Sequence, residues 1–520
     1  MFKNPRGLVF FLLAAGMAAF VPCTVRGEAD FGPLIADFHL TLDSGSRVEA
    51  LGPLFDAQQT ETEKQVAQPP VWSDVRDTVA DVGEFDFIYP LMTWNRYGKE
   101  YRFQILQLFN FTGGDKPEGS PTKRFTLFPI YFQQRSPDPA LNYTAVFPIY
   151  GHLVGRPLNM RDDIRFVLFP LYSETRKRDV VTDNYLYPIF DVRHGDHLQG
   201  WQVWPLVGHE TKELTFMTNL VGEPEPVGGH DNWFALWPIY SDNHTGLGTT
   251  NPAVEVSVLP FYDRLRSPAR DSTSYLWFFN FVDDREKKYQ EKDLPWPLVE
   301  FAHGAGKTNS RVWPFYGRGH DDVLEDDFWG WPIYIHHHLV SPPLDRDRKR
   351  IVLFLYSDVV EKNLETHKTS RRVDLLPLFT WHRDFDGNRR LQVLAPVEPI
   401  FPGNWHVERD WSPLWSLWRA ERNDRTGAAS ESLLWNFYRH EKRGGTEKCS
   451  LCLGFFQYQS GVAGWRWKLF YIPFGKGKAA PQFNPVPAGP PARSFGQIEH
   501  PRYDAVGIPQ GVCLKALAKS

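Results

Sequence analysis

Four cysteines in 520 residues are too few for a disulfide-dense scaffold. Neither sign of charge dominates: 58 basic and 62 acidic residues leave a formal net charge of -4. Basic clusters such as Arg371-Arg372 and Arg389-Arg390 are interleaved with acids in turn-like segments. A nucleic-acid surface needs a one-signed stripe, so nucleic acid is excluded as a partner. Helical periodicity is absent almost everywhere. Past the N-terminus no apolar run approaches the roughly 20 residues of a membrane-spanning helix. Gly-x-Ser-x-Gly, a phosphate loop and His-Glu-x-x-His are all missing. With 62 acids, any two could be nominated as a hydrolytic pair. The reading is therefore non-enzymatic, with no catalytic residue and no cofactor.

The first residues read as a targeting segment. Lys3 and Arg6 precede an apolar run from Leu8 to Val21, and Val25-Arg26-Gly27 offers small residues where a signal peptidase reads. The run is about 14 residues, short of a bilayer span, so residues 1–27 are expected to be a cleaved signal peptide. Cys23 follows Pro22 where a lipobox wants a small residue, which argues against lipidation.

What the chain does have is a beat. An aromatic-Pro-aliphatic-aromatic phrase recurs as Phe128-Pro129-Ile130-Tyr131, Phe147-Pro148-Ile149-Tyr150, Phe169-Pro170-Leu171-Tyr172 and Tyr187-Pro188-Ile189-Phe190. It returns as Trp237-Pro238-Ile239-Tyr240, Trp313-Pro314-Phe315-Tyr316 and Trp331-Pro332-Ile333-Tyr334, with a period of roughly 19 residues. Aromatic and branched residues suit a pleated surface, so each beat reads as one strand. Connections of roughly ten residues are too short for crossover helices. The expected fold is all-β, an antiparallel meander of about 20 strands. Alternation sends Phe128 and Ile130 to one face and Leu127, Pro129 and Tyr131 to the other. Both faces are then apolar, which demands a closed or doubly covered sheet. The proline, lacking a ladder donor, is expected at a bulge or bend in each strand.

Around this β-repeat domain, placed at 86–475, residues 28–85 read as an N-terminal arm or linker with one or two early strands. Residues 476–520, rich in Pro, Gly and Ala, read as an extended or disordered tail.

The phrases Trp94-Asn95-Arg96-Tyr97, Arg124-Phe125-Thr126-Leu127-Phe128-Pro129, Asp183-Asn184-Tyr185-Leu186-Tyr187-Pro188 and Ser412-Pro413-Leu414-Trp415-Ser416-Leu417-Trp418 make the chain resemble a group of exported bacterial proteins with WPLY-like strand repeats. The likeness covers about residues 40 to 475. It implies a bacterial envelope protein and transfers no activity, cofactor or site residue.

Few side chains are left to carry chemistry. Cys449-Ser450-Leu451-Cys452 lacks the βαβ context of a redox motif and two further zinc ligands. It reads as free thiols or a disulfide between Cys449 and Cys452, although residues three apart in a flat strand point to opposite faces. In His336-His337-His338, His336 and His338 would share a strand face and form a weak candidate metal pair; exposed imidazoles at a strand end are the plainer reading. The acidic pairs Asp162-Asp163, Asp283-Asp284, Asp321-Asp322 and Asp326-Asp327 lie between beats without EF-hand spacing, as solvated turns or calcium loops. Asp384-Phe385-Asp386-Gly387-Asn388 reads as a turn with Gly387 at positive φ. Exposed aromatics could stack on sugars, but the beat accounts for most of them as packing; the partner is left open, with an envelope component, a polysaccharide and membrane association as the alternatives. The expected function is an exported, structural or binding element of the cell envelope, in the periplasm or on its boundary. The alternative is an outer-membrane β-barrel acting as pore or transporter.

Overall fold

In the computed structural model of the chain, the described residues are 30–114, 122–155, 163–177, 179–218, 224–304, 306–461 and 464–475. The signal segment 1–27, the tail 476–520, Cys23 and Cys513 lie outside them. Strands make up 61% of the protein and helices 3%, which makes the fold all-β. Successive strands pair antiparallel, as where Asp163–Val167 meets Tyr172–Lys177 and that strand meets Val180–Tyr185. Among the described residues the count is about 43, not the expected 20, and the sheet does not close.

The doubled count follows from a shift of phase. The aromatic-Pro-aliphatic phrase is not a strand; it is the hairpin turn between two strands. Lys123–Leu127 and Tyr131–Arg135 flank Phe128-Pro129-Ile130, and Thr126 lies opposite Phe132. Each period of roughly 19 residues thus holds two strands, one apolar turn and one polar turn. The strands themselves are mixed and polar, as in Tyr172–Lys177 (YSETRK) and Arg270–Tyr275 (RDSTSY). Their length is mostly five or six residues, reaching eight in Tyr334–Ser341.

The apolar turns have a common build. The peptide before the proline is cis at Phe128-Pro129, Phe147-Pro148, Phe169-Pro170, Trp204-Pro205, Trp237-Pro238 and Trp313-Pro314, among others. Ile130 N–H donates to Leu127 C=O at 2.7 Å, and Ile149 N–H to Val146 C=O at 2.7 Å. A cis-proline at the third position of such a four-residue turn defines type VI. The proline therefore sits where no ladder donor is needed, rather than at a repeated bulge inside a strand.

The chain divides into two compact units. One comprises residues 71–387 and 395–407 and carries the repeat from Trp72–Asp77 to Phe379–Arg383. Among its described residues only one hairpin, Thr215–Thr218 with Pro224–Val227, leaves the main meander, and its flanking strands Val207–Lys212 and His230–Ala235 pair directly. Its apolar core cluster is small: Tyr143, Ala145, Leu153 and Phe166.

The other unit comprises the described residues up to 70 with 388–394 and 408–475. The described part of residues 28–85, expected as an arm with one or two strands, instead carries Trp72–Asp77 and Val82–Phe87 in the first unit and regular strands from Ile35–His39 to Glu63–Gln68 in this one. In this unit the interior is ionic. Glu49 accepts both Arg419 guanidinium nitrogens at 2.8 and 2.7 Å and the Asn436 amide at 2.6 Å, while Arg47 bridges Glu49 and Asp56. Burial alone would raise the Glu49 carboxyl, but Arg419 and Arg47 outweigh it and hold the group well below the usual carboxylate range. Arg439 lies 3.3 Å over the Phe38 ring, a cation–π contact on the same interior.

Candidate functional site

In an antiparallel meander, alternate turns fall at the same ends of the strands. In the 71–387 unit the apolar turns occupy one end throughout, from Ile88-Tyr89-Pro90-Leu91 to Leu376-Pro377-Leu378. The opposite end carries turns such as Ser136-Pro137-Asp138, Asp196-His197, Arg285-Glu286-Lys287-Lys288 and Asp321-Asp322. Polarity is therefore segregated along the strand axis instead of across the sheet. The aliphatic tips are about half exposed: Ile130 at 54%, Ile149 at 58%, Leu171 at 55% and Ile333 at 59%. A contiguous apolar edge of this kind marks an interaction surface.

Each position of the phrase has its own task. The aromatic before proline stacks on its counterpart in the next turn, with centroids 5.3 Å apart for Phe147–Phe169, 5.5 Å for Phe169–Tyr187 and 5.8 Å for Trp204–Trp237. The aromatic after the aliphatic tip opens the strand and pairs across it, as in Tyr172–Tyr185 and Tyr262–Tyr275. The tip between them faces outward.

The backbone of the edge is hydrogen-bonded sideways as well. Phe147 N–H donates to Ile130 C=O at 2.7 Å, Leu168 N–H to Ile149 C=O at 2.6 Å and Trp204 N–H to Ile189 C=O at 2.6 Å. Even proline carbonyls are used, with Tyr187 N–H on Pro170 C=O and Trp237 N–H on Pro205 C=O at 2.7 Å. An unpaired backbone group costs several kcal/mol in a medium without water. The turn rows remove much of that penalty.

One face of the strands from Tyr131–Arg135 to His230–Ala235 is concave and forms a cavity of about 1110 Å³. Its turn end is lined by Phe147, Phe169, Tyr187 and Trp204 with Asn184 just inside them, its middle by Thr175 and Thr182, and its far end by Lys177, Asp196 and Lys212. Arg193 bonds Glu210 at 2.7 Å and Asp191 at 3.2 Å, His230 meets Glu210 at 3.0 Å, and Lys212 meets Asp196 at 2.6 Å. Burial lifts the Asp191 carboxyl above its ordinary range, and Arg193 only partly opposes that.

The sequence candidates lie elsewhere. His336 and His338 share a face of Tyr334–Ser341, but carboxylates bracket each: Asp327 and Asp347 around His336, Glu325 and Asp345 around His338. With both ring nitrogens of each facing acids, the pair does not gather as metal ligands. Asp326 and Asp327 belong to the strand Leu324–Trp329 that faces these histidines, and Asp283-Asp284 ends the strand Phe279–Asp284. Neither pair is in a loop. Cys449 and Cys452 are free thiols, the first on Thr446–Leu451 and the second in the following turn; no disulfide joins them. Gly387 has φ 88° and its N–H reaches Asp384 C=O at 3.2 Å, as a turn there requires.

Two acidic groupings escaped the sequence reading because their members are far apart in the chain or spread over neighbouring strands. Asp86 takes the Nδ1 hydrogen bond of His406 at 2.6 Å, and Tyr89 stacks on that imidazole at 4.3 Å. Glu291, Asp293 and Glu300 bring carboxylate oxygens within 4.8 Å of one another. Arg311 and Asn309 engage Glu300, and Asn280 donates to Asp293 at 2.8 Å, so the protein supplies its own donors there.

No family model and no curated protein matches the chain.

Proposed function

We propose that the protein is an exported, non-enzymatic β-repeat element of the bacterial cell envelope that lies on a lipid surface through its apolar turn edge. The observation that carries this reading is the alternation of turns, which gathers the exposed tips at one end of the strands and the charged turns at the other. Each half-exposed tip offers about 1 to 1.5 kcal/mol on entering an apolar phase, and many tips along one edge add up to a firm contact. The lateral hydrogen bonds among the turns let that edge leave water without orphaning its backbone. The resemblance to exported repeat proteins and the N-terminal targeting segment support placement in the envelope.

The barrel reading is weaker on geometry. A transmembrane strand needs about 9–11 residues, whereas these strands have four to eight. Their sequences are also mixed and polar, as in Tyr172–Lys177 and Arg270–Tyr275, without the apolar band of a lipid-facing wall. Among the described residues no helix is long and apolar enough to cross a membrane. Fractionation of the native host tests the proposal. Recovery with membranes and release by alkaline carbonate is the expected result. Extraction by detergent alone with heat-modifiable gel mobility would establish the barrel, and recovery in the soluble fraction alone would refute lipid contact.

A further inference from the structure

The concave face has a second polarity gradient that the apolar edge does not explain. Its turn end is walled by Phe147, Phe169, Tyr187 and Trp204, the inward rings of the same turns whose tips form the edge. The far end, one strand length of five or six residues away, or roughly 17 to 20 Å, holds Lys177, Asp196 and Lys212, with Arg193 and Glu210 on the approach. A cavity of about 1110 Å³ lies just above the usual range of small-molecule sites. An occupant must therefore be long, apolar at the turn end and polar at the other. Both signs of charge line the polar half: Lys177, Arg193 and Lys212 stand beside Asp196 and Glu210, while Asp191 lies just inside the turn end. A singly charged head would meet repulsion from one of the two sets, while a head bearing both signs finds a partner for each.

We infer that this groove takes a single zwitterionic phospholipid, its chains at the turn end and its head among the ion pairs Arg193–Glu210 and Lys212–Asp196. The inference rests on the proposed lipid contact, because the rings that wall the groove belong to the same turns whose tips form the edge. Thr175 and Thr182 face each other across adjacent strands midway along the cavity. A tryptophan at either position would block the passage between its two ends.

The test uses the full chain, purified without detergent, and an acyl-labelled fluorescent phosphatidylcholine held below its aggregation concentration. Saturable one-to-one binding is expected, with at least tenfold weaker binding in Thr182→Trp. Thr175→Trp serves as an independent block if the first variant unfolds. Ile149→Asp alters a tip that does not line the cavity; it should lose vesicle binding yet keep the soluble lipid. Unchanged binding in both tryptophan variants would overturn the groove assignment. Tighter binding of labelled phosphatidylglycerol or a labelled fatty acid would overturn the zwitterionic head. Lipid binding that persists while wild-type protein ignores vesicles would remove the membrane reading and leave the groove standing.

Discussion

Ile149→Asp isolates the apolar edge from everything else the fold does. Ile149 is 58% exposed at the tip of the turn between Tyr143–Val146 and Tyr150–Val154. Its N–H bond to Val146 and its C=O bond from Leu168 are backbone interactions that survive the substitution. Folding stability should change by no more than about 0.5 kcal/mol, as for surface positions in general. Membrane partition should change far more. Moving the exposed part of an isoleucine into an apolar phase is worth about 1.5 kcal/mol, and a carboxylate near the interface adds roughly 1 kcal/mol of cost. The total of about 2.5 kcal/mol corresponds to a roughly seventyfold loss in vesicle affinity. Co-sedimentation over a range of lipid concentrations, with far-UV circular dichroism as a folding control, measures it. The same change on the opposite edge, Val323→Asp in the turn beside Asp321 and Asp322, should leave affinity within twofold. Equal losses from both edges, or none from either, would refute the assignment of lipid contact to the phrase turns.

Other expectations concern the ionic interiors. Burial, with Glu63 and Glu421 nearby, pushes the Asp43 carboxyl up to about 6. A carboxyl raised in the folded state contributes stability that is present below its unfolded pKa near 4 and lost as pH rises through about 6. Asp43→Asn should therefore stabilise at pH 8 by about 1 to 2 kcal/mol, after discounting for solvent, and by little at pH 4; calorimetry at the two pH values decides. Glu49→Gln leaves Arg419 and Arg47 without their shared carboxylate. Breaking such a buried pair costs about 3–5 kcal/mol, read as a lower denaturant midpoint that double substitution with Arg419→Met should partly restore. Asp345 and Glu325 raise the His338 imidazole against the opposing effect of burial. The contribution is present below its unfolded pKa and fades as pH rises through the elevated value. An NMR titration should show that elevation, and Asp345→Asn should reverse most of it.

The period, the all-β class and the antiparallel order were legible because they depend on spacing, and spacing survives an error of phase. The phase itself was not legible. Phe-Pro-Ile-Tyr has the aromatic and branched composition of a strand, while Ser-Glu-Thr-Arg has that of a loop, so intrinsic preference points the wrong way at both. The proline was the available signal: a missing donor repeated on every beat suits a turn better than a ladder. Reading Pro129 as the corner places Tyr131 at a strand start and makes Gln133, Thr144 and Arg135 ladder residues, as they are. The ionic interior of the 408–475 unit was beyond reach, since Glu49 and Arg419 are 370 positions apart.

Phase also decides which way the amphipathicity runs. With the phrase in the strand, apolar residues would coat both faces and the sheet would have to close or be covered. With the phrase in the turn, the same residues leave the faces and collect at the strand ends, so neither face demands cover. Ser173, Asn184, Asp191 and Gln202 then form a cross-strand row just inside the apolar turns, and Gln202 and Asn184 donate within it. Such a row would be intolerable on the lipid-facing side of a barrel wall, yet it is the natural floor of a groove whose lower rim alone is apolar. An open meander that is polar above and apolar below can extend by adding periods without changing either surface. That property is what a repeat lying along an interface requires, and a closed barrel of fixed strand number does not share it.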